Sequence, residues 1–151
     1  MEKSLPDFGP LEYNEDNKAR FLRAGSALLK SVAKALVDND VVETSKISTN
    51  RGGIAVSGEV YGYLYAPGLR DCVLVTITGG SFSNRRSDRL ICYLQYRTVN
   101  DPVTHKGGKL SSPVPSRIIG QNVYVESINT NAIIRKVEHM MANFPATCGV
   151  A

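Results

Sequence analysis

Histidine is almost missing from this chain of 151 residues: only His105 and His139 occur, and they do not stand in HExxH or comparable ligand spacing. So thin a set gives no reason to expect a metal site. Cysteine is scarce as well, with Cys72, Cys92 and Cys148 forming an odd set that contains no CxxC pair. Because Cys72 and Cys92 fall in apolar runs that read as strands, they are expected to be buried thiols and not a disulfide frame. Cys148, near the tail, is the one candidate for a reactive thiol.

Long apolar runs are also missing. Nothing approaches the roughly 18 to 20 residues that a bilayer crossing needs, and Met1–Pro10 holds acids and proline without an apolar core segment. The expectation is a cytoplasmic protein with neither membrane span nor secretory leader. Catalytic signatures are equally sparse. There is no GxSxG and no Cys/His nucleophile pattern, and Glu59 and Asp71 lack the second acid and lysine of a nuclease-like set. His105-Lys106-Gly107-Gly108-Lys109 lets backbone N–H groups approach an anion but falls short of GxxxxGK[ST], so no nucleotide cofactor is implied. The reading is of a non-enzymatic domain without cofactors, leaving open only a pocket assembled from distant residues.

What is present describes one folded unit. The chain is 42% hydrophobic and 21% charged, with 13 Gly and 7 Pro, a balance that suits a globular domain of ordinary size. Pro6, Gly9 and Pro10 make residues 1–13 an irregular arm, and the domain is expected to occupy 14–151. From Asn14 to Asp38 the apolar residues Phe21, Leu22, Leu28, Leu29, Val32, Leu36 and Val37 recur at helical spacing, with Gly25 and Ala33 on the same side. Asn14 or Asp16 is the candidate cap, and Asn39-Asp40 marks the end. Ile133, Val137, Met140, Met141 and Phe144 predict a second helix, capped by Asn129 or Thr130 and stopped by Pro145.

Between the helices the pattern is that of strands: Val41–Ser48, Ile54–Tyr65, Cys72–Thr78, Leu90–Val99 and Ile118–Val125. Short polar connections favour antiparallel neighbours, while Asn100–Arg117, rich in Pro and Gly, reads as a long surface loop. The predicted fold is therefore α+β, an antiparallel sheet of four to five strands with the N-terminal and C-terminal helices on one face. Leu28, Leu29, Val32, Leu36, Ile54, Val56, Val60, Leu64, Val73, Val75, Ile77, Ile133, Val137 and Met141 are the expected core.

The alternation in Ile54–Tyr65 separates two faces of different character. Val60 and Leu64 point one way with Gly58 and Gly62, while Glu59, Tyr61, Tyr63 and Tyr65 point the other. In the Leu90–Val99 strand, Cys92, Leu94 and Tyr96 take the helix side, which sends Tyr93, Gln95 and Arg97 to the tyrosine side. Flat amphipathic rings flanked by arginine are what sheet-based single-strand binders use, stacking for bases and cations for phosphates. Arg85, Arg86 and Arg89 in a polar turn, and Lys106 and Lys109 in the long loop, add candidate phosphate contacts. Arg20, Arg23, Lys30 and Lys34 form a basic ridge on the first helix that an ordinary solvated face would show as well.

A net charge of +4 and an isoelectric point near 9.0 agree with a polyanionic partner. The expected partner is nucleic acid, DNA or RNA alike, and no membrane. The competing reading is a self-assembling structural or adaptor subunit, a homo-oligomer that buries the tyrosine face and a strand edge against its own copies.

Overall fold

The computed structural model describes residues 15–51, 58–68, 71–78, 90–98, 105–106, 109–110 and 117–144. In chain order these form helix α1 (Glu15–Asp38), strands β1 (Thr44–Asn50), β2 (Glu59–Tyr65), β3 (Asp71–Thr78) and β4 (Ile91–Thr98), a hairpin of β5 (His105–Lys106) and β6 (Lys109–Leu110), strand β7 (Arg117–Val125) and helix α2 (Thr130–Ala142). The larger sheet has five strands in the order β1-β2-β3-β4-β7, each antiparallel to its neighbour. This is the predicted α+β fold with its two helices on one face. The predicted loop over Asn100–Arg117 contains the β5–β6 hairpin, which sits as an excursion inside an otherwise sequential meander. No described helix is long and apolar enough to cross a membrane.

Helix α1 starts at Glu15, so Asp16 lies in its first turn, where the helix dipole favours an acid, and not at the cap. Its end is closed by Asp40 at φ 60°, with Asp40 N–H donating to the Val37 carbonyl and Val41 N–H donating to the Leu36 carbonyl. Those two bonds are the Schellman pattern, which satisfies carbonyls that the helix leaves free. They also explain why β1 begins at Thr44 and not at the predicted Val41: the backbone from Asp40 to Val42 is occupied with capping, and Val42 drops its side chain into the core. Helix α2 begins as expected, with Asn129 Oδ1 accepting from Ala132 N–H at 2.9 Å. It ends at Ala142, where Asn143 N–H donates to the carbonyls of His139 and Met140.

The core lies between the helices and the sheet face beneath them. Leu28, Leu29, Val32 and Leu36 of α1 meet Val60 and Leu64 of β2, Val73, Val75 and Ile77 of β3, and Ile133 and Val137 of α2, all buried. Met140, and not Met141, is the methionine that is fully inside, because it follows Ile133 and Val137 on one stripe; Met141 is half-buried at the margin. Ile54 and Val56 lie outside the described residues. Two glycines let α1 and β2 approach closely: a Cβ on Gly25 would stand 2.7 Å from Cγ2 of Val60, and one on Gly62 would stand 3.2 Å from Cδ1 of Leu29. Arg51 Nη2 and Glu15 Oε1, 3.0 Å apart, tie the end of β1 to the start of α1 at the surface.

Candidate nucleic-acid interface

Because side chains alternate along each strand, the register assigns the residues of the opposite sheet face row by row. One row crosses Ser48, Tyr61, Thr76, Tyr93 and Tyr124 on β1, β2, β3, β4 and β7. The adjacent row crosses Lys46, Tyr63, Leu74 and Gln95, and the next crosses Thr44, Tyr65, Cys72, Arg97 and Ile118. Both helices lie on the other face. Thr76 is small and 1% exposed, so it forms the floor between the rings of Tyr61 and Tyr93, both half-buried. Tyr124, at 60% exposure, ends the row, its ring centroid 5.9 Å from that of Tyr93 at a tilt of 54°.

Hydrogen bonds hold the polar members of this face in place. The Tyr61 hydroxyl donates to Glu59 Oε1 two residues back on β2. Gln95 Nε2 donates to Asn122 Oδ1 at 2.8 Å, and Arg97 Nε donates to Gln95 Oε1 at 3.0 Å, a chain that runs from β7 to β4. Asn122 reaches Gln95 because β7 bulges opposite β4, where the register shifts between Leu94 and Tyr96 and Gly120 takes φ 77°. The orientation of Arg97 is thus set by a strand that pairs with its own from the far side of the loop.

Burial raises the hydroxyls of two tyrosines on this side of the sheet. Burial, helped by the hydrogen bond to Glu59, pushes the Tyr61 hydroxyl from 10.0 to about 12. The Tyr65 hydroxyl rises to about 12, first through burial and then through Cys72 and Tyr63. Burial pushes Cys72 from 9.0 to about 12 against the opposing pull of Arg97, and burial alone does the same for Cys92. At neutral pH both thiols are protonated and poor nucleophiles. Neither is in a disulfide.

The predicted site residues therefore divide. Tyr61, Tyr63, Tyr93 and Arg97 share the face, half-buried and within two adjacent strand pairs of one another. Tyr65 is on the same side but is 0% exposed, packed on Cys72 with Tyr63 stacked beside it at 6.4 Å between centroids. Its ring supports Tyr63 from below and offers no surface to a ligand in this conformation. Lys106 and Lys109 pair with each other across the β5–β6 hairpin. Arg85, Arg86 and Arg89, and Cys148 with them, lie outside the described residues, as do the arm 1–13 and Pro145.

Tyr124, Lys46 and Asn122 were not expected here. The alternation Asn122-Val123-Tyr124-Val125 marks Tyr124 as facing away from Val123 and Val125, but its nearness to Tyr93 depends on β7 pairing with β4. Beside Tyr124, an open groove of about 660 Å³ runs between β7 and α2, lined also by Val125, Glu126, Ser127, Ala132, Arg135, Lys136 and His139. Among the described residues no group of three or more His, Cys, Asp or Glu stands together. No family model, curated protein or solved structure matches this chain.

Proposed function

We propose that this protein is a non-enzymatic domain that binds single-stranded nucleic acid on the tyrosine-bearing face of its sheet, opposite the helices. The observation that carries the reading is the row Tyr61, Tyr93, Tyr124, three rings on one line across β2, β4 and β7 with buried Thr76 as the gap between the first two. Bases stack on such rings without regard to sequence, at roughly 1 to 3 kcal/mol per base. Lys46 beside Tyr63, and Arg97 held by Gln95, supply cations at the side of the row away from Glu59. Fluorescence anisotropy of labelled single-stranded DNA and RNA oligomers tests the reading. Saturable binding at low salt that weakens steadily as salt rises is expected, because phosphate contacts release counterions; no binding at low salt contradicts it.

One observation favours a second reading. β7 ends the sheet among the described residues, and it carries the two large apolar side chains that stand most exposed, Ile118 at 49% and Tyr124 at 60%. An edge strand of this kind is a template for pairing with another chain. Sedimentation across a range of concentrations separates the two: a monomer at high concentration favours nucleic acid, and a stable dimer that no longer binds oligomers favours assembly.

A further inference from the structure

Arg135, Lys136 and His139 lie on one flank of α2, and the groove they line opens onto the end of β7 where Tyr124 stands. Arg135 and His139 are exposed and Lys136 is half-buried. Arg135 and Lys136 have no ion-pair or hydrogen-bond partner among the described residues, in contrast to Lys34 and Arg51, which pair with Asp38 and Glu15. The acid of the groove is Glu126, so the two fixed cations outnumber it. The groove holds about 660 Å³ and is open to solvent, so an extended chain can lie in it without being enclosed.

Tyr124 belongs both to the ring row and to the wall of this groove. A strand whose bases follow Tyr61, Tyr93 and Tyr124 across the sheet therefore arrives at the edge of a groove that two unpaired cations also line. We infer that the groove between β7 and α2 is an exit channel for the phosphodiester backbone, in which Arg135 and Lys136 contact consecutive phosphates as the strand leaves the sheet. The inference rests on the stacking reading above and extends it from bases to backbone. It gives the bound strand a path across the sheet, along β2, β4 and β7, and a footprint longer than the ring row itself. Arg135 has the planar fork that takes a phosphate with two hydrogen bonds, and Lys136 acts as a point charge beside it.

The test compares the salt dependence of binding to a single-stranded homopolymer for the wild type, the double variant Arg135→Ala/Lys136→Ala and the single variant Tyr93→Leu. Each phosphate neutralised on a single strand contributes about 0.7 to the slope of log affinity against log salt, so the double variant should lower the slope by about 1 to 1.5. Tyr93→Leu should weaken binding at an unchanged slope. Arg23→Ala/Lys30→Ala, removing two exposed cations of α1 on the face that carries the basic ridge, serves as the control for net charge and should leave the slope nearly unaltered. Equal loss of slope in the two double variants overturns the channel in favour of diffuse charge. A wild type that binds while Arg135→Ala/Lys136→Ala keeps its full slope overturns the channel and leaves the stacking face standing, whereas a wild type that binds no oligomer overturns both.

Discussion

Gly25 of α1 rests directly on Val60 of β2, so close that a Cβ at position 25 would stand 2.7 Å from Cγ2 of Val60. Val60 is fully buried and β-branched, with little freedom to turn away. Gly25→Ala should therefore destabilise the fold by about 1 to 2 kcal/mol, overpacking outweighing the gain of up to about 1 kcal/mol from replacing glycine within a helix. In a Val60→Ala background the methyl has room, and the same substitution should become stabilising. Urea denaturation of the four proteins of this cycle reads the reversal of sign; the same sign in both backgrounds would mean that the two elements do not meet here.

Asp40 holds the left-handed conformation, φ 60°, that closes α1. A residue with a Cβ is strained there by about 1 kcal/mol, whereas glycine is not. Asp40→Gly should raise stability by about 0.5 to 1 kcal/mol, measured as a shift in the urea midpoint at unchanged slope. A loss of stability would mean that the Asp40 side chain contributes more than its backbone costs.

The raised thiols and phenols predict a stability that falls in alkali. Cys72 and Cys92 move from 9.0, and Tyr61 from 10.0, to about 12 on folding, so the folded state holds their protons more tightly than the unfolded chain does. Their contribution is whole below pH 9 and is lost as the pH rises from 9 through 12, because the unfolded chain releases these protons first. Denaturation midpoints at successive pH values should decline across that window. Site-resolved labelling should find Cys72 and Cys92 slow to alkylate at neutral pH and fast in denaturant; rapid native labelling of either would show that it is not buried.

Much of this architecture can be read from local pattern, and the exceptions have nameable causes. The helical stripe of α1 and the period of two in β2 and β4 placed the core and separated Tyr61, Tyr63, Tyr93 and Arg97 from Val60, Leu64, Cys92 and Leu94. Alternation says which way a side chain points but not what lies over it, so the burial of Tyr65 on Cys72 was invisible. Tyr124 was missed for a different reason. Its place in the row depends on β7 pairing with β4 across a long connection and on the bulge at Gly120, and neither is a property of the nearby sequence. The groove of Arg135 and Lys136 joins α2 to β7 and exists only once both have packed.

The claim that bases stack on the ring row is tested most directly by comparing Tyr93→Phe with Tyr93→Leu in equilibrium binding to a single-stranded oligomer. Tyr93 is the middle ring, half-buried between Thr76 and Tyr124, and its pairing with both is set by backbone register, so either replacement keeps a large apolar side chain in position. Phenylalanine retains the aromatic face, and its affinity should stay within about threefold of the wild type. Leucine abolishes stacking and should lose about 1 to 3 kcal/mol, roughly 5- to 150-fold in affinity, with the salt slope unchanged. Equal affinity in the leucine and phenylalanine proteins, with both folded, would contradict the stacking face.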